Sequence, residues 1–148
     1  MKNLLFVSLL LMNFSIVFAQ IQWDSAGIPV RQGANIDWTR SAVTLEDGSA
    51  VFVWSDTRRG DRDVWIQKVD VNGNLLWGEQ SEEGDWKEGI MINGEIEHQL
   101  DIVITDVGNN ELIVAWVDFR FEYPGDIYAQ IALGKHRCCY LFGGRDFF

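Results

Sequence analysis

Trp54-Ser55-Asp56-Thr57-Arg58 returns 62 residues later as Trp116-Val117-Asp118-Phe119-Arg120. Asp63-Val64-Trp65-Ile66-Gln67 returns as Asp126-Ile127-Tyr128-Ala129-Gln130, 63 residues on. The one-residue difference falls between the two blocks, in a connecting segment where an insertion is tolerated. Upstream, Gly27-Ile28-Pro29-Val30 matches Gly89-Ile90-Met91-Ile92 at 62, whereas Trp23 matches Trp77 at only 54. Residues 78–88 therefore carry an insertion of eight, and the basic period is 54.

Within one period, four runs read as strands. Residues 38–45 end at the turn Glu46-Asp47-Gly48; residues 49–56 are apolar on both faces through Val51, Phe52, Val53 and Trp54. Residues 63–70 follow a polar loop, and residues 74–77 follow the turn at Asn72-Gly73. Asp-Gly and Asn-Gly are hairpin signals because these residues accept positive φ at low cost. The run Leu112-Ile113-Val114-Ala115-Trp116-Val117 is likewise unbroken by a polar residue. A strand apolar on both faces needs cover on both sides. The expected core is Val51, Val53, Trp54, Ile66, Ile113, Val114 and Trp116. The fold class is all-β: antiparallel four-stranded blades of a partial β-propeller, because a fixed period of about 54 residues marks propellers or solenoids. A β-sandwich spaces its strands similarly and stands as the alternative.

Trp-x-Asp-x-Arg, a Gly/Asp loop, Asp-Ile-Tyr-Ala-Gln and then Asp70-x-Asn72-Gly73-Asn74-x-x-Trp77 together resemble a repeat of secreted bacterial β-propeller-like proteins. The resemblance covers residue 21 to about residue 131. It implies a large, multi-repeat, cell-surface or type IX-secreted protein with a C-terminal sorting tail, and no such tail is visible here.

The N-terminus reads as a signal peptide over residues 1–19. Lys2 supplies the positive end, residues 4–18 are apolar apart from Ser8, Asn13 and Ser15, and Val17-Phe18-Ala19 offers the cleavage site ahead of Gln20. Fifteen residues fall short of the roughly 20 needed to span a bilayer. The expectation is a secreted or cell-surface protein with no membrane span after cleavage. Residues 20–134 hold about two propeller-type repeats. Residues 135–148 form a tail outside the pattern: they hold Cys138, Cys139 and His136 and lack the turn and Trp that the repeat requires. A divergent end and a frameshift would both look like this.

The net charge is −10, with 22 acidic against 12 basic residues and no basic stripe. Such a chain repels phosphate backbones, which argues against nucleic acid as a partner. The two cysteines are adjacent, so pairing them with each other closes no loop. His98 stands alone, and a zinc site needs three or four clustered ligands, so neither metal nor cofactor is expected.

Asp56 and Asp63, with Asp118 and Asp126, invite reading as catalytic carboxylate pairs. Their recurrence at the period favours scaffolding, with Arg58 and Arg120 forked onto carboxylates to tie neighbouring strands. The structural repeat positions are Trp54, Asp56, Arg58, Asp63, Gln67, Gly73, Trp77, Trp116, Asp118, Arg120, Asp126 and Gln130. Residues 70–74 resemble a calcium loop or the Asp-box of sialidases, but the spacing fits a hairpin turn better. Arg59-Gly60-Asp61 spells an integrin-recognition tripeptide. Two repeats do not close a propeller, and open blade edges invite self-association. The expected function is a non-catalytic extracellular binding or cell-surface adhesion module, a fragment of a larger protein, with carbohydrate or protein as partner. The alternatives are a fragment of a propeller-type hydrolase (a glycosidase) whose catalytic blades lie elsewhere, and a structural spacer.

Overall fold

The computed structural model describes residues 23–24, 26–32, 37–80, 82, 84, 87–121 and 123–133. The signal segment 1–19 and the tail 135–148, with both cysteines and His136, lie outside the described residues.

Described residues form seven strands and no helix. They are β1 (Asp37–Thr44), β2 (Ala50–Asp56), β3 (Asp63–Val69), β4 (Ile90–Asn93), β5 (Gln99–Gly108), β6 (Glu111–Asp118) and β7 (Asp126–Leu133). β1-β2-β3-β4 is one antiparallel sheet, and β5-β6-β7 is a second. The protein is all-β.

Local chemistry sets the hairpins. Between β1 and β2, Gly48 adopts φ 80°, its N–H donates to the Leu45 carbonyl at 3.0 Å, and the Asp47 carboxylate accepts from the Ser49 N–H at 2.9 Å. Between β5 and β6, Asn109 and Asn110 both take positive φ (55° and 62°). Two left-handed residues match the twist of a two-residue hairpin, and Asn tolerates that region better than most side chains.

The two sheets stack through their faces. β5 lies across β1 and reaches β2 and β3. Val51, Val53, Val64 and Ile66 of the first sheet meet Ile102, Leu112, Val114, Trp116 and Ala132 of the second in one apolar cluster. Each fully buried aliphatic side chain there contributes about 1.5–3 kcal/mol. β3 is buried along its whole length, because its other face is covered too. There Arg58 lies over Trp65, the Trp54 ring edge would meet any side chain at Gly89, and Gln67 bonds the Trp77 backbone.

Three expectations are corrected. The fourth strand of the first sheet is β4, not residues 74–77. Leu75 makes only an isolated bridge to Val69, and the Gln67 side chain then takes both backbone groups of Trp77, accepting from its N–H at 2.8 Å and donating to its carbonyl at 2.9 Å. The chain makes an excursion bridged at Gln80 and Lys87 and returns to pair along β3. Ile113 is not in the core: it is 36% exposed, because it faces away from the first sheet. For the same reason β6 is covered on one face only, its burial alternating residue by residue.

Candidate functional site

The sheet corners at one end of the molecule are built around a buried aspartate. Asp56 ends β2, where its carboxylate accepts from Trp54 Nε1 at 2.8 Å, from the Arg58 N–H at 3.1 Å, and from Arg58 Nε and Nη2 at 2.9 and 2.5 Å. Asp118 ends β6 and accepts the same set from Trp116 Nε1 (3.1 Å), the Arg120 N–H (3.0 Å), Arg120 Nε (2.9 Å) and Nη2 (2.5 Å). A strand places i and i+2 on one face, so Trp-x-Asp aims the indole N–H at the carboxylate. The turn after the Asp then brings the Arg back onto it. Each guanidinium also lies over an aromatic ring of the next strand, Arg58 over Trp65 at 3.8 Å and Arg120 over Tyr128 at 4.3 Å. One aspartate thus ties two strands and the loop between them.

Electrostatics follow. Burial pushes the Asp56 carboxyl up, but the hydrogen bonds from Arg58 and Trp54 outweigh it and hold the group below the ordinary carboxylate range. Asp118 is held low the same way by Arg120 and Trp116 against burial. Neither can carry a proton near neutrality, and the lone pairs of both are taken up by structural donors. Asp63 stands directly opposite Asp56 in register, and burial raises its carboxyl. Asp126 stands opposite Asp118 but is exposed. Of the other sequence-marked residues, Gln67 is fully buried and Gln130 half-buried at the centre of β7. Gly73 (φ 87°) closes a turn in which the Asp70 carboxylate accepts from the N–H groups of Asn72 and Asn74, both at 2.8 Å. The Asn74 side-chain amide, donating to the same carboxylate at 2.8 Å, leads these bonds in holding Asp70 below the ordinary carboxylate range.

Above the clamps, three connecting segments meet. Residues 57–62 and 119–125 leave the two corners, and residues 94–98 join the sheets between them. The Gln99 N–H donates to the Arg62 carbonyl (2.9 Å), the Phe119 N–H to the His98 carbonyl (3.1 Å), and the Glu97 N–H to the Asp61 carboxylate (3.3 Å). Asp61 of the Arg-Gly-Asp tripeptide is therefore engaged within the loop cluster. Arg59 points to Met91 Sδ at 3.2 Å. His98 accepts from the Arg62 N–H at 3.3 Å, and among the described residues no three His, Cys, Asp or Glu side chains converge as a metal site.

The 119–125 loop differs in what it shows to solvent. Phe121 is 73% and Tyr123 88% exposed, and Tyr123 stacks on Phe119 with ring centres 6.3 Å apart. Phe121, Tyr123, Pro124, Gly125 and Asp126 line an open groove of about 520 Å³. Sequence reasoning treated this loop as a mere connection. The alternation of aromatics at 119, 121 and 123 was the available signal. It also missed Arg31, whose Nε adds a further contact to Asp56 at 3.2 Å. The offset of 62 puts Asn93 at the corresponding place in the second sheet, and among the described residues a second arginine reaches only the first clamp. Comparison with protein-family models, with curated proteins and with solved structures returned no match to the chain.

Proposed function

We propose that the chain is a non-catalytic extracellular binding module made of two propeller-type repeats, and that it holds carbohydrate on the Phe121–Tyr123 loop. The observation that carries this reading is the pair of exposed aromatic rings on a loop fixed at its base by the Asp118–Arg120 clamp. Large apolar side chains left this exposed mark interaction sites, and loops on a rigid scaffold are where such sites sit. Sugar rings present flat C–H faces that stack on aromatic rings, while Asp126 and the groove's backbone groups supply hydrogen-bonding partners. The clamp carboxylates support the non-catalytic part, since their lone pairs serve the fold. The polar 57–62 loop of the first repeat lacks aromatics, so binding belongs to the second. Export follows from the residue 1–19 segment and fits a ligand at the cell surface.

Glycan-array screening followed by calorimetry tests this. Phe121→Ala and Tyr123→Ala are expected to weaken binding at least tenfold, each ring giving about 1.4 kcal/mol or more, with the thermal midpoint unchanged. Absence of any glycan binding by the intact chain would leave the spacer reading.

A further inference from the structure

Among the described residues, nothing covers the apolar outward face of the second sheet. In register, Thr105, Ile113 and Ile131 form one row, Val103, Ala115 and Ala129 the next, and Val117 and Ile127 the third. No charged side chain interrupts these rows. Val103 is 57%, Ile113 36%, Ile127 82% and Ile131 56% exposed.

An offset of 62 or 63 maps these positions onto the first sheet as Ser41, Val43, Val51, Val53, Ser55, Val64, Ile66 and Lys68. Of these, Val51, Val53, Ser55, Val64 and Ile66 are 0–1% exposed, and Val51, Val53, Val64 and Ile66 pack against the second sheet. A largely apolar face, with Lys68 in place of Ile131 and Ser41 in place of Val103, is thus present twice and, among the described residues, covered once. What covers it within the chain is the opposite face of the second sheet, led by Ile102 and Ile104 of β5 with Leu112 and Val114 of β6. Mapped back by 62, that covering face corresponds in the first sheet to Arg40, Ala42, Ala50 and Phe52. Arg40 and Ala42 are exposed, and Ala50 and Phe52 are half-buried. A small groove of about 120 Å³ lined by Phe52, Trp54 and Val30 opens there.

We infer that a second copy of this chain docks head to tail, its Ala42–Phe52 face on the Val103–Ile113–Ile131 plate, in continuation of the sheet-on-sheet interface already inside each chain. The inference rests on the stacked-repeat part of the proposed function and is independent of the carbohydrate part. Charge agrees with this pairing: Arg40, the counterpart of Ile102, lies within the docking face and is opposite in sign to Glu111, exposed at the edge of the plate, whereas two plates pressed together would bring two Glu111 carboxylates to one rim. A heterologous contact closes into a ring when its rotation allows. At two sheets per chain, about two to four copies would give the roughly four to eight sheets of a closed propeller.

Sedimentation equilibrium on the full exported chain is the test. The expected result is a discrete oligomer of about two to four copies, reduced to monomer by Ile113→Glu and, independently, by Ala42→Arg. Both substitutions sit at solvent-facing positions, and unchanged circular dichroism verifies that the variants fold. Mixing the two variants is expected to restore a one-to-one dimer, since each supplies the intact face the other lacks. A wild-type monomer at on the order of 100 µM, a hundredfold above a micromolar Kd, would overturn the inference. So would an oligomer that survives Ala42→Arg and breaks only with Ile113→Glu, because that result means plate-to-plate pairing. Glycan binding by the monomeric variants reads the proposed function separately.

Discussion

The guanidinium of Arg58 lies flat over the Trp65 ring, 3.8 Å from its centre, while two of its nitrogens hold Asp56. The contact makes a surface loop part of the core. Trp65 belongs to β3 and Asp56 to β2, so removing Arg58 exposes an indole face and strands a buried carboxylate at once. Lysine has neither the planar fork nor the stacking face and cannot replace it.

Asp56→Asn is expected to destabilise the protein by about 3–5 kcal/mol, the usual result of leaving buried charges without their partner. It removes the charge that both Arg58 and Arg31 approach. Asp118→Asn is expected to do less, because one arginine rather than two contacts that carboxylate closely. Urea titrations of the two variants give the ordering, and an equal or reversed loss contradicts the role assigned to Arg31.

The acid limb of stability should carry two opposite signs. Asp56 and Asp118 have folded pKa values below their unfolded ones, so their contribution is complete above the ordinary Asp range and is lost as pH falls through the folded values. Asp47, lowered to about 2 chiefly by hydrogen bonds from Ser49 and Lys68, acts in the same direction at the surface. Asp63 is raised by burial, so it penalises the fold increasingly as pH climbs from the unfolded pKa through the folded one. Asp63→Asn is therefore expected to raise the thermal midpoint at pH 7 and leave it unchanged near pH 3. Melting curves across this range decide it, and a lower midpoint at pH 7 would mean the ionised carboxylate stabilises the corner.

Two glycines of the 78–89 excursion respond differently to alanine. Gly78 takes φ 85°, and a Cβ there would stand 2.3 Å from the Gly89 carbonyl oxygen, which is backbone and cannot step aside. Gly84 takes φ 81° at the tip with nothing within 4 Å. Gly84→Ala is expected to cost about 1–2 kcal/mol, the left-handed penalty alone. Gly78→Ala is expected to cost clearly more and to detach β4 from β3, because the neck of the excursion has to open. Hydrogen exchange at the Ile66 and Ile90 amides, which stand opposite each other in the pairing, would show that detachment.

Local chemistry was readable and neighbour-dependent chemistry was not. Trp54, Asp56 and Arg58 lie within five residues, so one buried carboxylate and its donors are visible in a line of text. The Asp47-Gly48 turn is visible for the same reason. Residues 74–77 looked like a strand because Leu75, Leu76 and Trp77 follow a turn, and Leu76 does begin to pair, its N–H donating to Lys68 at 2.8 Å. Only the placement of the Gln67 side chain, ten residues away, shows that pairing ends there. Ile113 failed for another reason. Unbroken apolar runs tell a strand from a helix but not how many of its faces are covered, since cover is supplied by residues elsewhere. Phe121 and Tyr123 carried no pattern beyond alternation, and their exposure depends on the clamp that directs the loop outward.

Gln67 supplies the last prediction, and it separates a packing role from a hydrogen-bonding one. The side chain is fully buried, and its amide meets the Trp77 backbone as a strand would, with the N–H at 2.8 Å and the carbonyl at 2.9 Å. It also accepts from the Lys68 N–H at 3.0 Å, so one oxygen serves two backbone donors. Gln67→Leu fills a similar volume but leaves two N–H groups and a carbonyl without their buried partner. Each unsatisfied group costs about 1–3 kcal/mol, and a loss of at least 3 kcal/mol is expected. Gln67→Glu keeps the acceptor and the shape but turns the donor facing the Trp77 carbonyl into a second acceptor. At neutral pH it also puts a charge where the structure buries a neutral amide. It is therefore expected to be unstable at pH 7 and to recover as pH falls and the carboxyl protonates into an amide-like donor. If Gln67→Leu is tolerated within about 1 kcal/mol, near the net worth of a single hydrogen bond, then packing alone holds Trp77 and the amide bridge is incidental.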